Sequence, residues 1–244
     1  MTWALLAAAC ATILIAYFIR GVSGFGSGLI ATPILAHFLP LQFVVPFILI
    51  LDFTASLALS RHSHKHIQWG EIKPLILFSI LGVILGIVLL IKLPQKPLLT
   101  GLGIFVIVFG LQTLLDQREK KHISRWWAIP TGLTGGTVGA LFGTGGPPYV
   151  IYLSHRLHDK TKIRATFSGM FLIDGGTRII SFFISGLLLQ TNMIPALLGA
   201  IPIMALGLLL GQKAHLELSH VHILKLIGVI LVISGLSLLW KAWL

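Results

Sequence analysis

The chain has 244 residues, 56% of them hydrophobic and 10% charged, with a mean hydropathy of +0.95. Those figures exclude a water-soluble globule, in which about 25% of residues are charged. The formal charge of +11 would suggest nucleic acid in a soluble protein, but in a membrane protein Lys and Arg chiefly set orientation.

A membrane helix needs about 20 apolar residues to cross about 30 Å of hydrocarbon. Apolar segments fall at about 2–19, 24–39, 41–60, 74–91, 97–115, 126–138, 146–154, 166–189, 191–212 and 222–243, with no soluble domain or long linker between them. The first has no positive n-region before it and no cleavage-type site after it, so it is expected to stay attached rather than act as a signal peptide. Cys10, the one cysteine, lies in that first run and supports neither a disulfide framework nor a cysteine metal site.

Segments 24–39, 126–138 and 146–154 are too short to span comfortably, and they flank two glycine-rich breaks at 21–28 and 139–148. Phe25-Gly26-Ser27-Gly28 matches Phe142-Gly143-Thr144-Gly145 at an offset of 117. Asp52 and Asp174 follow at an offset of 122, each the one carboxylate of the next apolar segment. Helices read as starting at proline come next, Pro74 with Gly82 and Gly86, then Pro195 with Gly207 and Gly211. The stretches 103–111 and 228–236 close the halves at an offset of 125. Four landmarks in one order point to an internal duplication, with repeats at 1–120 and 121–244 forming one transport domain.

Charge placement decides whether each break is a crossing or a reversal. If both broken segments cross once, eight basic residues lie on each side (Arg61, Lys65, Lys73, Arg118, Lys120, Lys121, Arg125 and Lys241 against Lys92, Lys96, Arg156, Lys160, Lys162, Arg164, Lys213 and Lys225). If both enter and return, thirteen lie on one side and only Lys92, Lys96 and Lys241 on the other, the bias expected of cytoplasmic loops. The second topology puts both termini outside and makes the repeats inverted, a construction plan of secondary transporters. The expected fold is an all-α integral membrane protein of about 7–10 membrane segments, each repeat a glycine-broken helical hairpin followed by three transmembrane helices.

Four charged residues remain inside apolar segments: Arg20, Asp52, Asp174 and Arg178. Each costs about 2.5–3.5 kcal/mol even on a lenient insertion scale, so each must face a partner or a cavity. Asp174 and Arg178 are four apart on one helical face and can pair, either as a structural ion pair or in ion coupling. Asp52 must be protonated, line water, or reach Arg20 or Arg178 across the bundle; a protonated carboxylate is what a proton relay uses. At the breaks, Ser27 and Thr144 are N-cap types, and Pro147 and Pro148 suit the first turn of a helix. Two inward-pointing helix N-termini would make an anion site at the midplane, with Arg20 as a guanidinium fork. The candidate ligand-binding residues are Arg20, Ser23, Gly24, Phe25, Gly26, Ser27, Phe142, Gly143, Thr144, Gly145 and Gly146. Asp52, Asp174 and Arg178 would set coupling or charge balance. The alternative for the glycines is close helix packing alone.

Other patterns carry less. Gly24, Gly26 and Gly28 are no dinucleotide fingerprint, since no strand precedes them. Gly21-Val22-Ser23-Gly24 has the G-x-S-G form of rhomboid-type intramembrane proteases, but only His37 is even near a span. His62, His64 and His66 alternate in a loop that could bind a metal, although Lys65 and the lack of acidic or thiolate neighbours favour a solvated loop. Trp126, Trp127, Trp240 and Trp243 fit interface anchors. No phosphate-binding loop for ATP and no cofactor site is apparent.

Gly24-Phe25-Gly26-Ser27-Gly28-Leu29 leading to Pro33, with Leu141-Phe142-Gly143-Thr144-Gly145-Gly146-Pro147-Pro148 and Lys162-Ile163-Arg164-Ala165-Thr166, resemble the TauE/SafE sulfite exporter family across both halves. The resemblance implies a multi-span permease for sulfite, organosulfonates or other small anions. Members often carry a polar amide near the position of Asp52, so the aspartate here leaves proton coupling open. The expectation is a secondary transporter of a small sulfur-containing or carboxylate anion in the cell membrane. Its rivals are a carrier of a cation or neutral solute using Asp52 and Asp174, and an intramembrane enzyme using Ser23 or the histidine loop.

Overall fold

The computed structural model describes residues 3–24, 26–60, 67–115, 123–157, 159–214 and 220–244. Among them the chain forms ten α-helices: α1 Trp3–Ser23, α2 Ser27–Leu35, α3 Leu41–Ser60, α4 Trp69–Lys92, α5 Gln95–Leu115, α6 Ala128–Phe142, α7 Gly146–Arg156, α8 Lys160–Ile184, α9 Met193–Ala214 and α10 His220–Trp243. Seven of them, all but α2, α6 and α7, are long and apolar enough to cross a membrane. At 1.5 Å per residue the 9, 15 and 11 residues of the three short helices reach only about 13, 22 and 16 Å. The ten apolar segments therefore correspond one for one to helices. Two starts differ from expectation. α4 begins at Trp69, so Pro74 lies inside it, and α9 begins at Met193, two residues before Pro195.

Glycine dictates which helices touch. A Cβ on Gly86 would sit 2.6 Å from the Thr137 carbonyl oxygen, and one on Gly132 2.7 Å from that of Leu75. Gly82 and Gly136 are closer still to the backbones at Leu133 and Ser79. Contact numbers rise together along α4 and α6, so these helices run parallel, backbone against backbone, in small-xxx-small fashion. α1 and α9 repeat the arrangement: Gly207 meets Leu14 and Gly211 meets Phe18. α5 and α10 run antiparallel, with Gly103 against Gly235 and Gly110 against Gly228. These are the three most extensive helix pairs, and each joins one half of the sequence to the other.

Polar contacts at the helix ends define two rims. On one, Lys241 reaches the carbonyls of Ala36 and His37, Gln190 donates to Gln42 O at 2.8 Å, Gln42 donates to Leu90 O at 3.1 Å, and Lys96 lies 4.5 Å from the Trp243 ring centroid. On the other, Glu71 pairs with Arg125 and Arg156, and Gln68 N donates to Thr166 Oγ1 at 3.0 Å. The α6–α7 unit thus begins and ends on the rim of Glu71, and α2 ends on the rim of Lys241. Large side chains such as Leu77, Ile84, Ile180 and Leu206 face outward, an apolar exterior suited to lipid.

Tight and open glycines should separate on substitution. Gly136→Ala drives a Cβ into the Ser79 backbone and is expected to cost about 1–3 kcal/mol or more. Gly176→Ala meets nothing within 4 Å and should gain about 0.5–1 kcal/mol from helix propensity. Thermal unfolding in detergent should show the melting temperature fall for the first variant and hold or rise for the second.

Candidate functional site

Both breaks depend on a left-handed residue that only glycine adopts readily. Gly26 (φ 97°) precedes α2 and Gly143 (φ 70°) follows α6; they are the matched positions at offset 117. The breaks also touch: a Cβ on Gly28 would lie 2.5 Å from Gly143 O and 3.4 Å from Asp52 Oδ2. The expected capping roles are not seen. Gly26 caps α2 and Gly145 caps α7, neither with a side-chain bond. Ser27 is already helical and its hydroxyl is taken by charged partners, while the buried Thr144 Oγ1 has no hydrogen-bond partner among the described residues. Pro147 does sit in the first turn of α7.

Asp52, on α3, is answered from α1 and α2. Its Oδ1 accepts from Tyr17 OH at 2.6 Å and Ser27 Oγ at 2.6 Å, and pairs with Arg20 Nη1 at 2.6 Å. Arg20 also donates from Nη1 to Ser27 Oγ at 2.8 Å and from Nη2 to Ser56 Oγ at 2.6 Å and Asp52 O at 3.1 Å. Of the options open to Asp52, the pair with Arg20 is the one adopted.

The same residue types gather around Asp174 from other helices, the serine coming from α4 of the first half. Asp174 pairs with Arg178 at 2.8 Å as expected, and accepts from Tyr149 OH at 3.1 Å and from Ser79 Oγ. Arg178 Nη1 donates to Gly139 O at 3.0 Å. Each aspartate thus has an arginine, a tyrosine and a serine, the hydroxyls converging on Oδ1 and offsetting part of the cost of burying the ion pair. Phe171 joins the two sets: its ring centroid lies 5.2 Å from the Arg20 guanidinium carbon and 5.5 Å from that of Arg178, within cation–π range.

A cavity of about 20 Å³ lies between the breaks, room for about one water. Its wall brings together Arg20, Gly26, Ser27, Asp52, Gly143, Thr144 and Gly146 of the candidate set, with Gly28, Leu29, Pro147, Phe167 and Phe171. Six described candidates stand outside that wall. Ser23 Oγ donates to Ile19 O at 2.8 Å, Phe142 packs on Phe105 with centroids 6.2 Å apart, and Gly145 is pressed against Gly135 O. Asp174 and Arg178 are buried away from that wall, with the Arg178 guanidinium near the Phe171 ring. Gly24 belongs to the turn, with φ 84°. Phe25 and the imidazoles at 62, 64 and 66 lie outside the described residues.

Sequence reasoning passed over the tyrosines. There are three, and each donates to a buried carboxylate: Tyr17 to Asp52, Tyr149 to Asp174 and Tyr152 to Glu71. Their scarcity in so apolar a chain was the available signal, because a buried phenol needs a partner. Ser56, four residues after Asp52, was readable in the same way. Ser79 and Phe171 carry no such signal.

The family described as Sulfite exporter TauE/SafE matches residues 9–238. The chain is also similar to the Comamonas testosteroni protein named "Probable inner membrane transporter protein TsaS", 26% identical over 199 residues that cover 80% of this chain and 82% of the relative. No solved structure matches it. An all-helical chain with seven candidate spans, matched by this family over nearly its whole length, belongs to the TauE/SafE sulfite exporter family and is a membrane transporter, not an enzyme.

Proposed function

We propose that this protein is a secondary transporter of a small sulfur-containing anion, sulfite or an organosulfonate, bound between the two helix breaks. The observation that carries the reading is a pair of unmet donors there: Arg20 Nε and Thr144 Oγ1 are buried without hydrogen-bond partners among the described residues, and both residues line the cavity. A buried donor left unpaired costs about 1–3 kcal/mol, and an oxyanion supplies acceptors on several sides. Left-handed glycines bring backbone close to the ligand, and at the start of α7 the N–H of Gly146 lies on the cavity side, Pro147 and Pro148 after it carrying none. The cation reading is weaker, since Asp52 already accepts three donors and holds Arg20 at 2.6 Å, a like charge facing any cation.

The arm directions support inverted repeats at 1–120 and 121–244. Parallel α1–α9 and α4–α6 with antiparallel α5–α10 are what a two-fold axis in the membrane plane produces. Both termini then lie on the rim of Lys96 and Lys241. That rim is the outer one by the positive-inside bias, in the inner membrane that the relative's name gives.

Proton coupling follows from charge balance. With Asp52 ionised, Arg20 is neutralised, and an incoming anion would leave the buried site negative. A proton on Asp52 frees the guanidinium for the anion and keeps the site neutral. The charged or titratable groups facing Asp52 are Tyr17 and Arg20 on α1, with Arg178 near the Phe171 ring on α8.

In proteoliposomes, Arg20→Ala should reduce flux of labelled sulfite or a taurine-like sulfonate by about 10–100-fold, the worth of lost charge-assisted bonds. Arg20→Lys should restore part of it, and unchanged flux in Arg20→Ala removes Arg20 from the site. Asp52→Asn should retain anion exchange but lose its acceleration by a pH gradient; a gradient response equal to that of the parent would contradict the proton's place on Asp52.

A further inference from the structure

The two short arms that line the cavity are each held at their far end by a charged side chain from another helix. α7 meets the cavity at Gly146 and Pro147 and ends at Arg156. There Glu71, at the start of α4 and 5% exposed, gathers that end. Its Oε1 accepts from Arg156 Nη2 at 2.7 Å and Arg125 Nε at 3.2 Å, and its Oε2 from Arg156 Nε at 3.1 Å and Tyr152 OH at 2.8 Å. α2 meets the cavity at Ser27 and Gly28, and beyond its end the carbonyls of Ala36 and His37 accept from Lys241 Nζ, on α10, at 3.1 and 2.7 Å. An ammonium is favoured at a helix C-terminus. Burial first, then Lys241, lowers the His37 imidazole from its ordinary value, so it is neutral at pH 7 and leaves the charge at that end to Lys241.

Three features distinguish these contacts from static braces. They lie on opposite rims. Each arm is joined to the helix before it through a left-handed glycine, Gly26 or Gly143, where a few backbone angles can absorb a swing. And the Glu71 cluster meets solvent through Arg125, whose side chain is 66% exposed, whereas the Asp174–Arg178 pair is sealed at 0% and 1%. Water can take over the partners of the first as it opens, and cannot reach the second.

We propose that Glu71 and Lys241 are positioning residues of the transport cycle: they latch α7 and α2 on opposite faces, and the cavity opens more widely to one face when the latch on that face releases. This rests on the transport reading above, but its test does not use the substrate. In a Cys10→Ala background, Thr144→Cys places a thiol in the cavity wall. Its labelling by a membrane-impermeant maleimide is followed in membrane vesicles of both orientations. Glu71→Gln should speed labelling about fivefold or more from the face of Arg125 alone, and Lys241→Met should do so from the face of Lys96 alone. No change, the reverse sidedness, or an equal rise from both faces would overturn the proposal, the last being the behaviour of a merely loosened fold. A failure here leaves the anion site standing, and a failure of anion flux leaves the latches standing.

Discussion

Charge inside hydrocarbon must be answered from within the protein, and that constraint organises this structure. Asp52, Asp174 and Glu71 are 4%, 2% and 5% exposed, and each is met by at least one guanidinium and one phenol. Removing a single partner from such a set would strand a buried charge at a cost of about 3–5 kcal/mol. The helices carrying the partners are therefore held together in this structure, most firmly at the sealed Asp174–Arg178 pair. Asp52 ties α3 to α1 and α2, Asp174 ties α8 to α4 and α7, and Glu71 ties α4 to α7 and to the turn at Arg125 that precedes α6. Glycine contacts between halves bring the backbones close enough for these side chains to meet.

Within this frame the two halves are similar in composition and different in use. Each aspartate gathers an arginine, a tyrosine and a serine, but only the set around Asp52 lines the cavity. The set around Asp174 is buried away from it, with the Arg178 guanidinium near the Phe171 ring. The α7 arm carries Tyr152 and Arg156, while α2 offers only carbonyls at the corresponding end. One such set toward the cavity and another sealed is the asymmetry a carrier needs if one pair reorganises while the other stays fixed.

Much of the fold was legible in the sequence, because in a membrane the apolar run is itself the element. The ten segments map onto ten helices, and the two glycine-rich stretches fall between α1 and α2 and between α6 and α7. Asp174 with Arg178 was readable as an i, i+4 pair. The partner of Asp52 was not, since Arg20 lies 32 residues away and only the return of the chain at Gly26 brings it close. Capping was misassigned because Ser27, a good cap by type, is turned to Asp52 once that carboxylate is buried beside it. Glu71 escaped notice because it precedes the apolar run of α4 and reads as a solvated helix end. What made it a buried centre was the approach of α7 and of the turn that precedes α6, information held in tertiary structure alone.

The central claim is that an anion is held where the two breaks meet, between residues of opposite halves. The most direct measurement is anomalous diffraction from crystals grown with a transported anion that carries selenium or bromine. The account predicts one peak in the cavity, within hydrogen-bond reach of Thr144 Oγ1 and beside the Arg20 guanidinium. A peak elsewhere in the bundle, or none at a concentration that saturates flux, would contradict it.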